Sequence, residues 1–527
     1  MQSTTITTRQ DGPSPTVAIG CGVVCGVDAV AVTIEARMLA ASSAPRILGS
    51  VDQVVREAYH RILGSFGALG LPMPRGSPVL NFVPAQVRKA GSGFDLPMAI
   101  ALAAAGGALP RERLSGLAAF GEVGLDGRIR STPGIVPVAI AARQRGWRRL
   151  LTSPDDAELA SAVPGIEALP AHDLREAFVG LSDGSLPVLS GGDGMRYLNP
   201  AGSAVGGLDL ADLRGHETGK LALAAAAAGE HNLLFVGPPG SGKSSLARRI
   251  LGILPQLDPE HHLDVLQIHS ARGLASRHTA ISLGSNGRPF RAPHHSSSGA
   301  SILGGGPQPR PGEVTLAHHG VLFLDELPEF RREILEGLRQ PLEDRIVTIG
   351  RASQSVAMPA SFILIAAMNP CPCGYAFDPT RTCRCSAADQ RRYRNRISGP
   401  LLDRFDLRID LPSPPPEAFG SPPDPAWSTA RLRERVGRAR DRQRHRNPDG
   451  CANAKLEGDR LEAVLGDRTA LSPVIERAMR LGGASARGRT RILRLARTLA
   501  DLDDLALVRA EDIQLAARLR GMEALPS

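Results

Sequence analysis

The stretch Gly237-Pro-Pro-Gly-Ser-Gly-Lys-Ser244 decides how this chain is read. It fits G-x-x-x-x-G-K-[ST] and lies between the apolar run Leu233 to Val236 and the helix-like Ser245 to Leu254. A strand, a glycine-rich turn and a helix start are the context that a phosphate-binding loop requires. The expected nucleotide contacts are Gly237, Pro238, Pro239, Gly240, Ser241, Gly242, Lys243, Ser244 and Ser245. In such a loop, backbone N–H groups curl round the phosphates of ATP, Lys243 reaches the β- and γ-phosphates, and the Ser244 hydroxyl ligates magnesium.

The rest of the site is sought outward from that loop. A second magnesium ligand should follow a neighbouring strand, and Val321-Leu-Phe-Leu-Asp-Glu326 supplies four apolar residues and two acids. Asp325 then serves the ion and Glu326 polarises the attacking water. Alone, an Asp-Glu pair would be read as solvated acids at a strand end; the phosphate loop changes that reading. A third apolar run, Phe362 to Ala367, leads to Asn369, either a sensor of the γ-phosphate or a turn-forming residue before Pro370. The transferring phosphoryl group also demands an arginine, and Leu401-Leu-Asp-Arg404-Phe405 offers Arg404. Only four of the 62 basic residues are lysines (Lys89, Lys220, Lys243, Lys455), and among the remaining 58 arginines the sequence does not single one out.

At 527 residues the chain has material for about three domains. Its 42% hydrophobic and 22% charged residues match a soluble globular protein, and runs such as Leu221 to Ala228 fall short of the roughly 18 apolar residues of a membrane span. The polar start, Met1 to Gly20, shows no signal peptide, so the expected compartment is the cytoplasm. Strand-like and helix-like segments alternate over 1–182, predicting a mixed α/β domain. Residues 183–206 have a linker composition, 207–412 read as an α/β doubly wound parallel sheet, 413–428 as a proline-rich connector, and 429–527 as helices. The Gly-rich Gly299 to Gly312 is read as a loop.

A net charge of +9 makes nucleic acid the first polyanion to consider, although the arginine skew fits base composition equally well. Eight arginines in Arg431 to Arg446 could track a phosphate backbone or simply cover a solvated lid or a subunit contact. Few aromatic residues are available for base stacking. Four of seven cysteines crowd together as Cys371-x-Cys373 and Cys383-x-Cys385, a set suited to structural zinc; reduced thiols and a redox pair are the alternatives.

At these residues the chain resembles the AAA+ ATPases of the magnesium-chelatase-like branch, and more closely the bacterial YifB/ComM family. The resemblance rests on Gly237 to Ser244, Arg288 to His295, Pro311 to Leu327, Ala367 to Gly374, Ile397 to Phe405 and Ala496 to Asp501. It implies that Asn369 is the sensor-1 residue, Arg404 an arginine finger acting on a neighbouring subunit, and Arg487 the sensor-2 arginine of the lid; Arg408, Arg489 and Arg491 lie nearby. It further implies a homo-hexameric ring whose pore is faced by Phe290 to Gly312 and by a hairpin at Val347 to Pro359. His294 and His295 are read either as pore contacts or as structural. The N-terminal unit looks like a Lon-protease-type (S5 domain 2-like) domain, through Asn81 to Ala85, Gly91 to Ile100 and Gly121 to Ile129. By that similarity the nucleophile position holds Asp95 and the lysine position falls near Val136, which argues against proteolysis.

Three functions compete. One is a ring motor acting on single-stranded or branched DNA, a helicase or branch-migration machine for recombination in natural transformation, as the ComM resemblance implies. The second is an ATP-driven remodeller of a protein partner recruited by the N-terminal domain. The third is a chelatase-type regulatory ATPase, disfavoured because that motor normally lacks a Lon-like domain.

Overall fold

The structure is a computed structural model and describes residues 16–39, 44–191, 208–275, 286–306, 309–350, 355–376, 378, 381–414, 416–420, 422–466, 468–481 and 485–521. Contacts divide it into two compact units, one within Met1–Leu198 and Leu266–Ala280, the other within Asn199–Val265 and Ile281–Ser527. The putting of Leu266–Ala280 with the first unit interrupts the expected 207–412 stretch; Ser270 Oγ accepts from Val136 N at 3.1 Å and Gln267 Nε2 donates to Asp28 Oδ1 at 2.8 Å.

In the first unit, β1 (Val17–Cys25) and β2 (Asp28–Leu39) form a tight antiparallel hairpin at Gly26, whose φ of 68° suits glycine. With β3 (Arg46–Leu48), β4 (Ser77–Val83), β5 (Leu117–Ala119), β8 (Arg149–Thr152) and β9 (Glu167–Pro170) they make a mixed seven-stranded sheet ordered β3-β4-β2-β1-β5-β8-β9. A small hairpin, β6 (Glu122–Val123) with β7 (Ile129–Arg130), stands apart. Helix Gln53–Leu69 starts where Asp52 caps Val55 N and stops at left-handed Gly70. Helix Asp95–Ala105 is buried along its whole length. Asp95 forms a buried ion pair with Arg61 (2.9 Å) and accepts from Val123 N, while buried Lys89 donates to the Phe82 and Pro84 carbonyls. Each group is thus satisfied by a structural partner. Most of the expected 183–206 linker lies outside the described residues, as does the start of the chain. Its first part is not free chain, because Leu189 and Ala168 exchange two 2.9 Å backbone hydrogen bonds.

The second unit is built on a five-stranded sheet of β10 (Leu233–Val236), β11 (Phe290–Arg291), β12 (Val321–Leu324), β15 (Ile363–Met368) and β16 (Leu407–Asp410), ordered β11-β12-β15-β10-β16 and parallel throughout. Period-two alternation sends Leu233, Phe235 and Ile365 to one face, against the Ala-rich helix Glu217–Gly229 and the C-terminal helices. Leu234, Leu322 and Leu364 pack on the other face against Ile334, Leu338 and Leu401. Burial on both faces explains why these strands read as continuous apolar runs. Beyond the sheet come helices Thr429–Arg446, Gly458–Ala463, Arg468–Leu481, Ala486–Leu502 and Ala510–Leu519.

Two expectations are corrected. Gly299 to Gly312 is not all loop, because Ser298 Oγ accepts from Ser301 N and starts a short helix, Gly299–Leu303. The proline-rich connector contains the one-turn helix Pro416–Gly420, which tolerates proline in its first turn. The hairpin expected near Val347 to Pro359 is β13 (Ile346–Gly350) with β14 (Ser355–Pro359), its tip outside the described residues. No helix among the described residues is long and apolar enough to cross a membrane.

Candidate active site

The loop Gly237 to Gly242 joins the end of β10 to helix Lys243–Arg248. Its glycines have separate reasons to be there. A Cβ on Gly237 would stand 2.2 Å from the Leu411 carbonyl oxygen, and Gly240 and Gly242 have φ of 78° and 84°. Pro238 accepts from Ser241 N and leads with Pro239 into the turn; Ser245 Oγ accepts from Arg249 Nη1. Lys243 folds its ammonium back on the loop, 2.7 Å from Gly237 O and 2.8 Å from Pro238 O, with Asn369 Oδ1 at 3.3 Å. Burial holds Lys243 down at about 8, against the opposing pull of Asp325 and Glu326.

Parallel pairing brings the ends of β10, β12 and β15 together, so Asp325, Glu326 and Asn369 converge on this loop. Ser244 Oγ donates to Asp325 Oδ2 at 2.6 Å. The two hard oxygen ligands expected for magnesium therefore already share one point. Glu326 sits in the left-handed region at φ 53°, a strained position for a residue with a Cβ, and its side chain is 55% exposed. Its Oε2 lies 3.4 Å from His295 Nδ1, and the His295 ring centroid lies 4.1 Å from that of His294, the planes tilted by 34°.

Arg404 and Arg487 are brought together elsewhere. Arg404 Nη2 contacts Glu343 Oε1 at 2.6 Å, and Arg487 Nη2 lies 3.7 Å from the same oxygen. Arg404 O accepts from Asn232 Nδ2, just before β10 begins, whereas the phosphate loop follows its other end. A four-residue strand separates these positions by roughly 13 Å. The arginines next to them are committed to other partners: Arg489 to Glu462, Arg491 to Asp406, and Arg408 to the Leu402 carbonyl. Arg487 is 69% exposed, while Arg404 is buried.

Three residues, and one pairing between residues already named, escaped the sequence reading. His216, left-handed at φ 58°, hydrogen-bonds to the Ser241 backbone, and burial lowers its pKa. Tyr393 reaches the Asn369 backbone and is pushed up to about 12 by burial. Glu343 and the His295–Glu326 pair were invisible because their partners lie far off in sequence.

The four cysteines of the loop after β15 gather their sulfurs within 4.8 Å of one another. Asp264, His318 and His319 also gather, but His318 Nδ1 accepts from Ser361 N at 2.9 Å. A neutral imidazole so used carries its proton on Nε2 and has no lone pair left for a metal.

On helix Thr429–Arg446 seven of the eight arginines serve the unit itself. Arg435 pairs with Asp503, Arg438 and Arg442 with Asp504, Arg440 with Glu230, Arg444 with Asp258 and Arg446 with Asp501, while Arg433 donates to Gly252 O. This favours a packed lid face over a phosphate track.

The sheet order and the residues at its strand ends define an AAA+ ATPase. Family models for the magnesium chelatase subunit ChlI match residues 34–156 and 209–418, and its C-terminal model matches 426–520. The chain is 36% identical over 505 residues to the uncharacterised YifB of Escherichia coli, covering 95% of this chain and 96% of that one. It is 38% identical over 480 residues to the competence protein ComM of Haemophilus influenzae, covering 90% and 92%. A more limited similarity, 30% over 192 residues, covers 31% of this chain and 32% of Lon protease 2 of Bacillus subtilis. The chain belongs to the YifB/ComM family of magnesium-chelatase-like AAA+ ATPases, a family that works with ATP and Mg2+.

Proposed function

We propose that this protein is an ATP-hydrolysing motor that closes into a homo-hexameric ring and acts on single-stranded or branched DNA, as a helicase or branch-migration machine in recombination during natural transformation. The observation that carries the ring is the separation of Arg404 and Arg487 from the phosphate loop of their own chain. A second copy has to supply them, and a closed ring lets every copy do so. DNA is supported by the match to a competence protein along nearly its whole length and by the net charge of +9.

In this reading, Lys243 holds the β- and γ-phosphates and Asn369 faces the γ-phosphate. Ser244 and Asp325 would hold Mg2+, which neutralises phosphate charge when bound. Glu326 takes a proton from the water that attacks the γ-phosphorus as the bond to the ADP oxygen breaks. Arg404 and Arg487 of the neighbouring copy balance the charge that develops. The four cysteines carry a structural zinc ion. The N-terminal unit is a non-proteolytic Lon-like domain, since Asp95 is locked to Arg61.

A second reading, remodelling of a protein partner recruited by the N-terminal unit, is favoured by the internally paired arginines of Thr429–Arg446. Migration of a labelled four-way DNA junction tests the choice. The motor reading expects ATP-dependent strand exchange that Lys243→Ala abolishes; turnover of ATP without movement of any DNA would favour the second.

A further inference from the structure

The loop after β15 has the donor geometry of a closed metal site. Cys371 Sγ lies 3.4 Å from Cys373 Sγ and 3.7 Å from Cys383 Sγ, and Cys373 and Cys383 are 3.6 Å apart. Four thiolates about 2.3 Å from a central zinc stand about 3.8 Å from one another, so little movement is needed to receive the ion. The sulfurs are also met by donors that favour thiolate. Ala376 N points at Cys371 Sγ (3.3 Å), Cys373 N at Cys385 Sγ (3.4 Å) and Gln390 Nε2 at Cys383 Sγ (3.6 Å). Such outer hydrogen bonds fix ligand orientation in metal sites. Zinc is the cation of choice, because four soft ligands in a tetrahedron leave no open position for chemistry.

The same loop touches the nucleotide site at three places. Asn369 lies two residues before Cys371 and 3.3 Å from Lys243 Nζ. Gly374, between the two cysteine pairs, has φ 88°, donates its N–H to Cys371 O, and packs so closely that a Cβ there would stand 2.5 Å from Pro239 Cδ and 3.8 Å from Asn369 Cγ. Tyr393, on the helix Ala387–Arg394 that follows the second pair, holds the Asn369 backbone. The cysteine loop therefore forms one wall of the phosphate loop and carries the sensor. Four unliganded thiols offer little to keep a proline-flanked loop in this shape, whereas a bound ion closes it at four points.

We infer that Cys371, Cys373, Cys383 and Cys385 hold one Zn2+ and that the loaded site fixes Asn369 and the Pro238–Pro239 shoulder, so that nucleotide affinity depends on zinc. The inference deepens, and rests on, the reading of Gly237 to Ser244 as the ATP site. Zinc replaces the thiol protons without redox change, and the ion touches no phosphate.

The test uses the full chain, purified under reducing conditions, as wild type, Cys385→Ser, Cys385→His and Lys243→Ala. Zinc per chain is measured by atomic emission, thiolate ligation by the charge-transfer absorption of the cobalt-substituted protein, and affinity by titration with a fluorescent methylanthraniloyl-ATP. Wild type should carry one zinc and show thiolate-to-cobalt bands. Cys385→Ser should lose the ion and bind the nucleotide about tenfold more weakly, while Cys385→His, which restores a fourth ligand, should keep both properties. Should Cys385→Ser fail to fold, wild type stripped with phenanthroline and then reloaded with zinc gives the same comparison. A zinc-free wild type that binds nucleotide overturns the site, as does a Cys–Cys disulfide found by mass spectrometry in its place. Equal affinity with and without zinc overturns the coupling. Failure of the underlying reading looks different: zinc is present, but wild type binds the nucleotide no better than Lys243→Ala.

Discussion

Arg404 is buried against Glu343, with Nη2 2.6 Å from Oε1, at the end of the sheet opposite the phosphate loop. Its other Nη donates to Pro400 O, and Arg487 approaches the same Glu343 oxygen. On the proposed reading, an arginine held there would serve the nucleotide of another copy and not its own. Arg404→Ala is expected to lower kcat by about 10³-fold with nucleotide affinity unchanged. Mixing it with Lys243→Ala chains, which keep Arg404 but lack a working loop, should restore part of the turnover. No restoration at any mixing ratio would place the arginine in its own chain's site or outside catalysis.

Glu343 itself is predicted to position both arginines. Glu343→Gln leaves the Arg404 guanidinium buried without its charge partner, a costly arrangement that drives the side chain outward. Turnover should change with little effect on binding of the fluorescent nucleotide, and Arg404→Ala should add little in the double variant. Independent, additive effects would separate the two residues.

The Glu326–His295 contact predicts a second split. Glu326→Gln should bind ATP and hydrolyse it about 10²- to 10³-fold more slowly, because the proton acceptor is lost. His295→Ala should alter kcat and leave affinity unchanged, since His295 meets the acid and not the phosphate loop. A loss of nucleotide affinity in His295→Ala would contradict this placement. Single-turnover hydrolysis beside equilibrium binding makes the distinction.

Lys243, lowered to about 8 by burial, predicts the pH dependence of nucleotide affinity. Phosphate favours the ammonium form, so the bound state has the higher pKa. Below about pH 8 free and bound protein are both protonated, and affinity should be flat with respect to this group. Above it the free protein loses the proton and binding must take one up, so affinity should fall with rising pH, by up to about tenfold per unit. Titrations between pH 7 and 9.5 would show the fall; affinity that rises with pH would contradict it.

The stability of the helical part should hinge on Asp501. It receives Arg446 (2.5 Å), Arg497 (3.0 Å) and Asn453 (2.8 Å), and Arg497 is fully buried. Asp501→Ala should destabilise the second unit by about 3–5 kcal/mol, since it leaves a buried guanidinium without its partner. Denaturant unfolding measures it.

The phosphate loop, the Asp325–Glu326 pair and Asn369 were legible in the sequence because each is a short local pattern at the end of an apolar strand, and parallel pairing brings strand ends together. The cysteine set was legible for the same reason. Glu343 was not, because an acid in the helix Arg339–Asp344 looks like any solvated charge until the fold sets Arg404 and Arg487 beside it. The basic helix stayed open between two readings for the converse reason: its neutralising acids, Glu230, Asp258, Asp501, Asp503 and Asp504, are local in space and remote in sequence. His216 gives no signal, as nothing in Gly215-His216-Glu217 tells that the chain turns there against Ser241.

The proposed DNA-acting ATPase is tested first by ATP turnover with Mg2+, alone and with single-stranded, duplex and four-way-junction DNA over a salt series. Turnover should be abolished by Lys243→Ala and stimulated by DNA, most strongly when single-stranded or branched, with a stimulation that fades as salt rises. Turnover that is indifferent to every DNA at every salt concentration would contradict the proposal.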